Sequence, residues 1–131
     1  MKRSRIVKEA ALWIVSLFLV SIFIRQGMAK FSETSGWATA FRLWGYPVWF
    51  RMLIGTMEVS AAILLLLPRV AAIGAALIIV VMLGGMGTHI ARGHPAQITS
   101  ELLPLILASV VLYARRRALR RATPASTDAI R

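Results

Sequence analysis

The sequence predicts an all-α integral membrane protein: a four-helix bundle of antiparallel, up-down-up-down spans, with a short interfacial helix between the first and second. Three observations lead there. Of 131 residues, 58% are hydrophobic and the mean hydropathy is +0.72, which leaves too little polar surface for a soluble domain of this length. The apolar residues gather in four blocks, each near the ~20 residues needed to cross ~30 Å of hydrocarbon as a helix. Finally, the basic residues crowd beside those blocks, in "MKRSRIVK" and "ARRRALRR", where they set orientation and meet anionic head groups.

The elements follow in order. Residues 1–9 form a basic N-terminus and 10–29 the first span. A signal-peptide reading of residues 1–29 is opposed by Arg25, which stands between the apolar run and the "GMA" that would be cleaved. The segment "FSETSGWATAFRLWGYPVWF" holds seven of the chain's eleven aromatic residues. Trp37, Phe41 and Trp44 recur there at i, i+4 and i+7, the pattern of a short helix lying at the head-group layer as a half-buried lid or aromatic anchor. The second span covers 47–67, opened by Pro47 and stopped by Pro68. With only Pro68 and Arg69 intervening, the third span, 70–89, folds back on it. The fourth covers 98–114 after the "RGHPAQITSE" loop, with Thr99 or Ser100 as a cap and Pro104 near its start. Residues 115–131 form a basic tail that is expected to be disordered, its end, "TPASTDAIR", lacking any apolar pattern. Eleven Lys and Arg fall on the side of the termini and five on the other, which predicts both termini cytoplasmic in a prokaryotic membrane.

The net charge of +11 is thus assigned to lipid, and nucleic acid is not expected as a partner. The chain has no cysteine, which excludes disulfides, thiolate nucleophiles, CxxC chemistry and iron–sulfur ligation within it. Any redox role therefore needs a bound, non-covalent cofactor or a partner subunit.

Glu58 is the most informative residue. It lies mid-span in "FRMLIGTMEVSAAILLLL", where an ionised side chain costs about 2.5–3.5 kcal/mol on insertion scales. It is expected to face the bundle interior and to be either protonated or paired with a cation. Arg51, Gly55, Glu58 and Ala62 share one stripe of the second span, so both charges line one cavity beside small residues that let a neighbouring helix approach. Arg25 and Lys30 close the first span and are the other cations within reach. His89 ends the third span one turn after Gly85, and Glu101 opens the fourth, where an acid also complements the helix dipole. The hairpin order brings Arg25, Lys30, Arg51, His89 and Glu101 toward the outer half, with Glu58 deeper, as ligand-binding or proton-relay residues of a polar cleft. No metal is predicted, because His89, His94 and Glu101 lack the compact spacing of known ligand motifs.

"RQGMAK" closing the first span, "IGTMEVSAAILLLLPRVAAIGA" across the second and third, and a histidine ending the third resemble the DoxX and DoxX-like family of small bacterial and archaeal membrane proteins over residues 10–114. The resemblance matches a G-x-x-K element to Gly27–Lys30 and a G-x-x-E element to Gly55–Glu58. It implies a link to membrane redox complexes, since the namesake is the small membrane subunit of a thiosulfate:quinone oxidoreductase. The leading expectation is then a subunit that binds a quinone or lipid-like molecule. Lys30 and Arg51 would be donors to its oxygens and Glu58 a proton relay, alongside a partner redox subunit or a second copy of the chain. Two alternatives stand beside it. One is a proton-coupled exporter built around Glu58, and the other is a structural or assembly subunit in which Glu58 pairs with Arg51 or Lys30 to fix helix register.

Overall fold

The computed structural model describes residues 2–122, and these form five α-helices with no strand among them. Helix α1 spans Lys2–Ala29, α2 Gly36–Leu43, α3 Val48–Leu65, α4 Ala71–Ala91 and α5 Thr99–Ala122. Four of them, α1, α3, α4 and α5, are long and apolar enough to cross a membrane. The short α2 between α1 and α3 starts at Ser35, whose hydroxyl accepts from the Ala38 amide at 3.3 Å, satisfying one of the free donors of a first turn.

The helix limits differ from the apolar blocks in instructive ways. Helix α1 begins at Lys2 and α5 continues to Ala122, because the basic flanks are good helix formers with no Pro or Gly to stop them. Residues 115–122 of the expected tail are therefore helical, while residues 123–131, the whole of "TPASTDAIR", lie outside the described residues. A 3₁₀ turn, Pro95–Ile98, precedes α5. The hydroxyls of Thr99 and Ser100 donate back to the carbonyls of Ala96 and Gln97 at 3.0 and 2.7 Å, so they join the two helices instead of capping α5. Pro104 consequently falls beyond the first turn of α5, where its missing N–H leaves one backbone bond unmade.

Helix α1 packs on α3 and α5, α3 on α4, and α4 on α5. The shared core holds Leu19 and Phe23 of α1, Ala61 and Leu65 of α3, Ile78 of α4 and Val111 of α5. Small residues set the closest crossings. A Cβ on Gly74 of α4 would fall 2.7 Å from the Ala61 carbonyl of α3, a distance only glycine permits. Large apolar side chains such as Ile14, Val80 and Ile106 are exposed on the outside, the surface that lipid covers. At one end of the bundle Arg115 of α5 reaches Glu9 of α1 at 2.8 Å. The ionisable residues of interest gather at the other end.

Candidate functional site

Two glycines bring α1 and α3 together. The position of a Cβ on Gly55 is 2.9 Å from the Gly27 carbonyl, and that of a Cβ on Gly27 is 3.0 Å from the Gly55 carbonyl. Each glycine is followed three residues later by a charge, about one helical turn on. Lys30 and Glu58 therefore meet across the crossing. The Lys30 ammonium donates to both carboxylate oxygens of Glu58 at 2.9 Å, and each side chain is only 2% exposed. The ring of Trp37, from α2, covers the same ammonium at 3.8 Å from its centroid. With two hydrogen bonds and an aromatic face around it, the cation is fully engaged.

Beside this pair lies a cavity of about 420 Å³, within the ~300–1,000 Å³ range of small-molecule sites. Its walls are mostly apolar: Trp37, Phe41 and Trp44 from α2 and its end, Phe50 and Met57 from α3, and Val81 from α4. Phe41 is the hub of this wall, in ring contact with Trp37, Trp44, Tyr46 and Phe50 at centroid distances of 5.4–6.5 Å. A bond of 2.8 Å between the Tyr46 and Thr88 hydroxyls ties the aromatic segment to α4.

Besides Gln26, Tyr46 and Thr88, four ionisable side chains reach the cavity: Lys30 and Glu58, and also His89 and Glu101. Nε2 of His89 is 3.5 Å from Oε1 of Glu101, a looser contact than the Lys30 pair. Gly85 makes room for that carboxylate, since a Cβ there would stand 3.1–3.3 Å from its atoms. The His89 ring also packs edge-on against Trp44 at 5.5 Å. His89 is only 7% exposed, and its Nδ1 is buried with no hydrogen-bond partner. A buried imidazole nitrogen in that state has capacity to spare for a ligand atom or a proton.

Of the six residues singled out by sequence, Lys30, Glu58, His89 and Glu101 come together. Arg51 and Arg25 do not. Arg51 is buried on α3 but turns to the link before α2, donating to Glu33 at 2.9 Å and to the Ser32 carbonyl at 3.5 Å, and it is not part of the cavity wall. Arg25 is exposed and lines a separate shallow hollow with Ile22, Gln26 and Trp37. Sequence reasoning missed Glu33 as the partner of Arg51 and Tyr46 as the tie to α4. Nothing in a polar link marks an exposed acid as special, but a tyrosine among interfacial aromatics was a visible signal, because its hydroxyl needs a partner.

Four helices able to span a bilayer, with a largely apolar cavity at one end that ionisable side chains reach, define a small integral membrane protein. The chain belongs to the DoxX-like family, whose model matches residues 14–113. No curated protein and no solved structure matches it.

Proposed function

We propose that this protein binds a quinone, or a similar lipid-soluble molecule, in the cavity beneath α2, as a subunit of a membrane redox system whose electrons come from a partner subunit. The observation that carries this reading is an aromatic, largely apolar slot with His89 and Glu101 on its wall, the His89 Nδ1 being buried without a partner. A flat ring bearing carbonyl oxygens needs apolar faces, a hydrogen-bonding group at its edge and a source of protons. Aromatic side chains supply the first, and His89 with Glu101 supplies the others. Reduction of a quinone to a quinol takes up two protons with its two electrons, so an acid–base pair at the ring edge has work to do.

The roles differ from those expected of the charges at first. Both oxygens of Glu58 are held by Lys30, which argues for a pair that shapes the cavity and leaves proton exchange to His89 and Glu101. The same saturation counts against an exporter, which needs a carboxylate free to trade its proton for a cationic substrate. It favours, as a second reading, a structural or assembly subunit with a register lock at Lys30–Glu58. On either reading the arginine-rich ends of α1 and α5 face the cytoplasm of a prokaryotic cell and the cavity lies toward the opposite face.

The test uses the purified chain in lipid nanodiscs, titrated with decylubiquinone while the tryptophan emission is followed, because Trp37 and Trp44 line the cavity. A saturable quench that His89→Ala weakens about tenfold, the loss of one hydrogen bond of ~1.4 kcal/mol, is expected. A quench that never saturates and is the same in both proteins would leave the assembly reading.

A further inference from the structure

A second, more open hollow of about 540 Å³ shares the His89–Glu101 contact with the first. Its surface is also mostly apolar, with polar groups at a few places. Ser35, Gln97 and Ser100 supply hydroxyl and amide groups, and Ser35 and Ser100 come from opposite sides of it, one before α2 and one at the start of α5. Trp37, Trp44, His89 and Glu101 line both hollows, so these four side chains form a septum between the aromatic slot and the more open hollow. The septum's titratable pair is the only part of it that is able to pass a proton. At ~30 Å³ per water the open hollow has room for several waters, and Ser35, Gln97 and Ser100 offer them hydrogen-bonding partners.

We propose that the open hollow is an aqueous vestibule that delivers protons to His89 and Glu101, and through them to the cavity, from the bundle face formed by α2 and the α4–α5 link. The proposal rests on the reading above for its purpose, since a quinone in the slot would consume those protons, but the route does not require one. His89 and Glu101 are the titratable groups that line both hollows. Around His89 stand Glu101 from α5, Lys30 from the end of α1, Glu58 from α3 and Trp44 after α2, and its own end of α4 continues to Arg92 and His94. Thus both a carboxylate able to share its proton and the already balanced Lys30–Glu58 pair face it, and the proton has a short path with no net charge left uncompensated in the slot.

The chain's lack of cysteine makes the route directly testable with no quinone present. In a Trp13→Phe, Trp49→Phe background, Trp37 and Trp44 remain as reporters, and the imidazolium of His89 quenches the indole it touches. Proteoliposomes with a buffered interior receive an external pH jump. A prompt emission change that is lost in His89→Gln is expected. Ser100→Cys, or Gln97→Cys as the second variant, is then labelled from outside with an impermeant, charged nitroxide thiosulfonate, which darkens Trp44 in every molecule whose vestibule faces out. If protons enter by the vestibule, the response to the external jump then falls at least tenfold, because the molecules that respond are the ones darkened. A response that survives labelling, cysteines that the reagent never reaches from either side, or the absence of any His89-dependent change would each overturn the proposal. A failed quinone titration would leave it untouched, so the two readings fail separately.

Discussion

The α1–α3 seam and the α4–α5 seam are built from the same parts and behave differently. Each sets a glycine opposite its neighbour and an ion pair nearby. In the first, Gly27 and Gly55 touch backbone to backbone and Lys30 grips both oxygens of Glu58 at 2.9 Å. In the second, Gly85 faces a side chain, the Glu101 carboxylate, and His89 approaches one oxygen at 3.5 Å with its other nitrogen unpartnered. At the first seam the paired charges satisfy each other, and the unpartnered buried atoms of these helices, Ser16 Oγ and Arg51 Nε, belong to other side chains. At the second the unpartnered atom, His89 Nδ1, belongs to the pair itself, and the proposed exchange with a ligand or water falls there. Burial of a charge within a membrane protein therefore does not by itself mark chemistry; the unfilled positions around it do.

The strongest way to break the comparison is Glu58→Ala. Removing one partner of a buried pair strands the other, so a loss of about 3–5 kcal/mol is expected, read as a thermal or denaturant shift in detergent. The double variant Lys30→Met, Glu58→Leu recovers most of it. A small loss in the single variant would place both seams in the same class. Next, Gly55→Val puts a Cβ 2.9 Å from the Gly27 carbonyl and 3.1 Å from the Lys30 Cβ. Neither can yield without parting the helices, for an expected cost of about 1–3 kcal/mol, with a changed Trp37 emission as Lys30 withdraws from its ring. On the other seam, Glu101→Gln keeps shape and loosens one long contact of 3.5 Å, costing about 0.5–1.5 kcal/mol of stability, while a pH-dependent component of tryptophan emission is lost or displaced. An equal loss of stability from Glu101→Gln and Glu58→Ala would erase the distinction. The smallest effect is expected from Glu33→Gln. Its pair with Arg51 has one end 67% exposed, where screening holds the contribution to below about 1 kcal/mol, and the same unfolding measurement reads it.

Much of this was legible from residue order. Four apolar blocks and a mid-span glutamate announce helices that must hide a charge, and Lys30 stood with Arg25 and Arg51 among the cations within its reach. The fate of the arginines was less so. Arg51 does share the buried face of α3 with Glu58, but seven residues of helix separate them by about 10.5 Å along the axis. Arg51 thus ends level with the link, where Glu33 waits, and no periodicity exposes a partner in a loop. For Arg25 the signal was present. Ser16, Leu19, Phe23, Gly27 and Lys30 form the buried stripe of α1, and a residue five positions before Lys30 points about 140° away from it. The septum between the hollows depends on Gly85, α2 and the 3₁₀ turn meeting in space, which a linear pattern does not encode.

The Lys30–Glu58 contact also bears on how the chain is made. A growing polypeptide delivers α1 to the bilayer well before α3, with Lys30 able to rest among head groups at the end of its helix, whereas Glu58 has no such refuge once α3 enters. Lateral entry of α3 is thus favoured only alongside an α1 that is already in position. The embrace of these two side chains offsets part of the cost of bringing Glu58 into the bilayer as the second long helix enters.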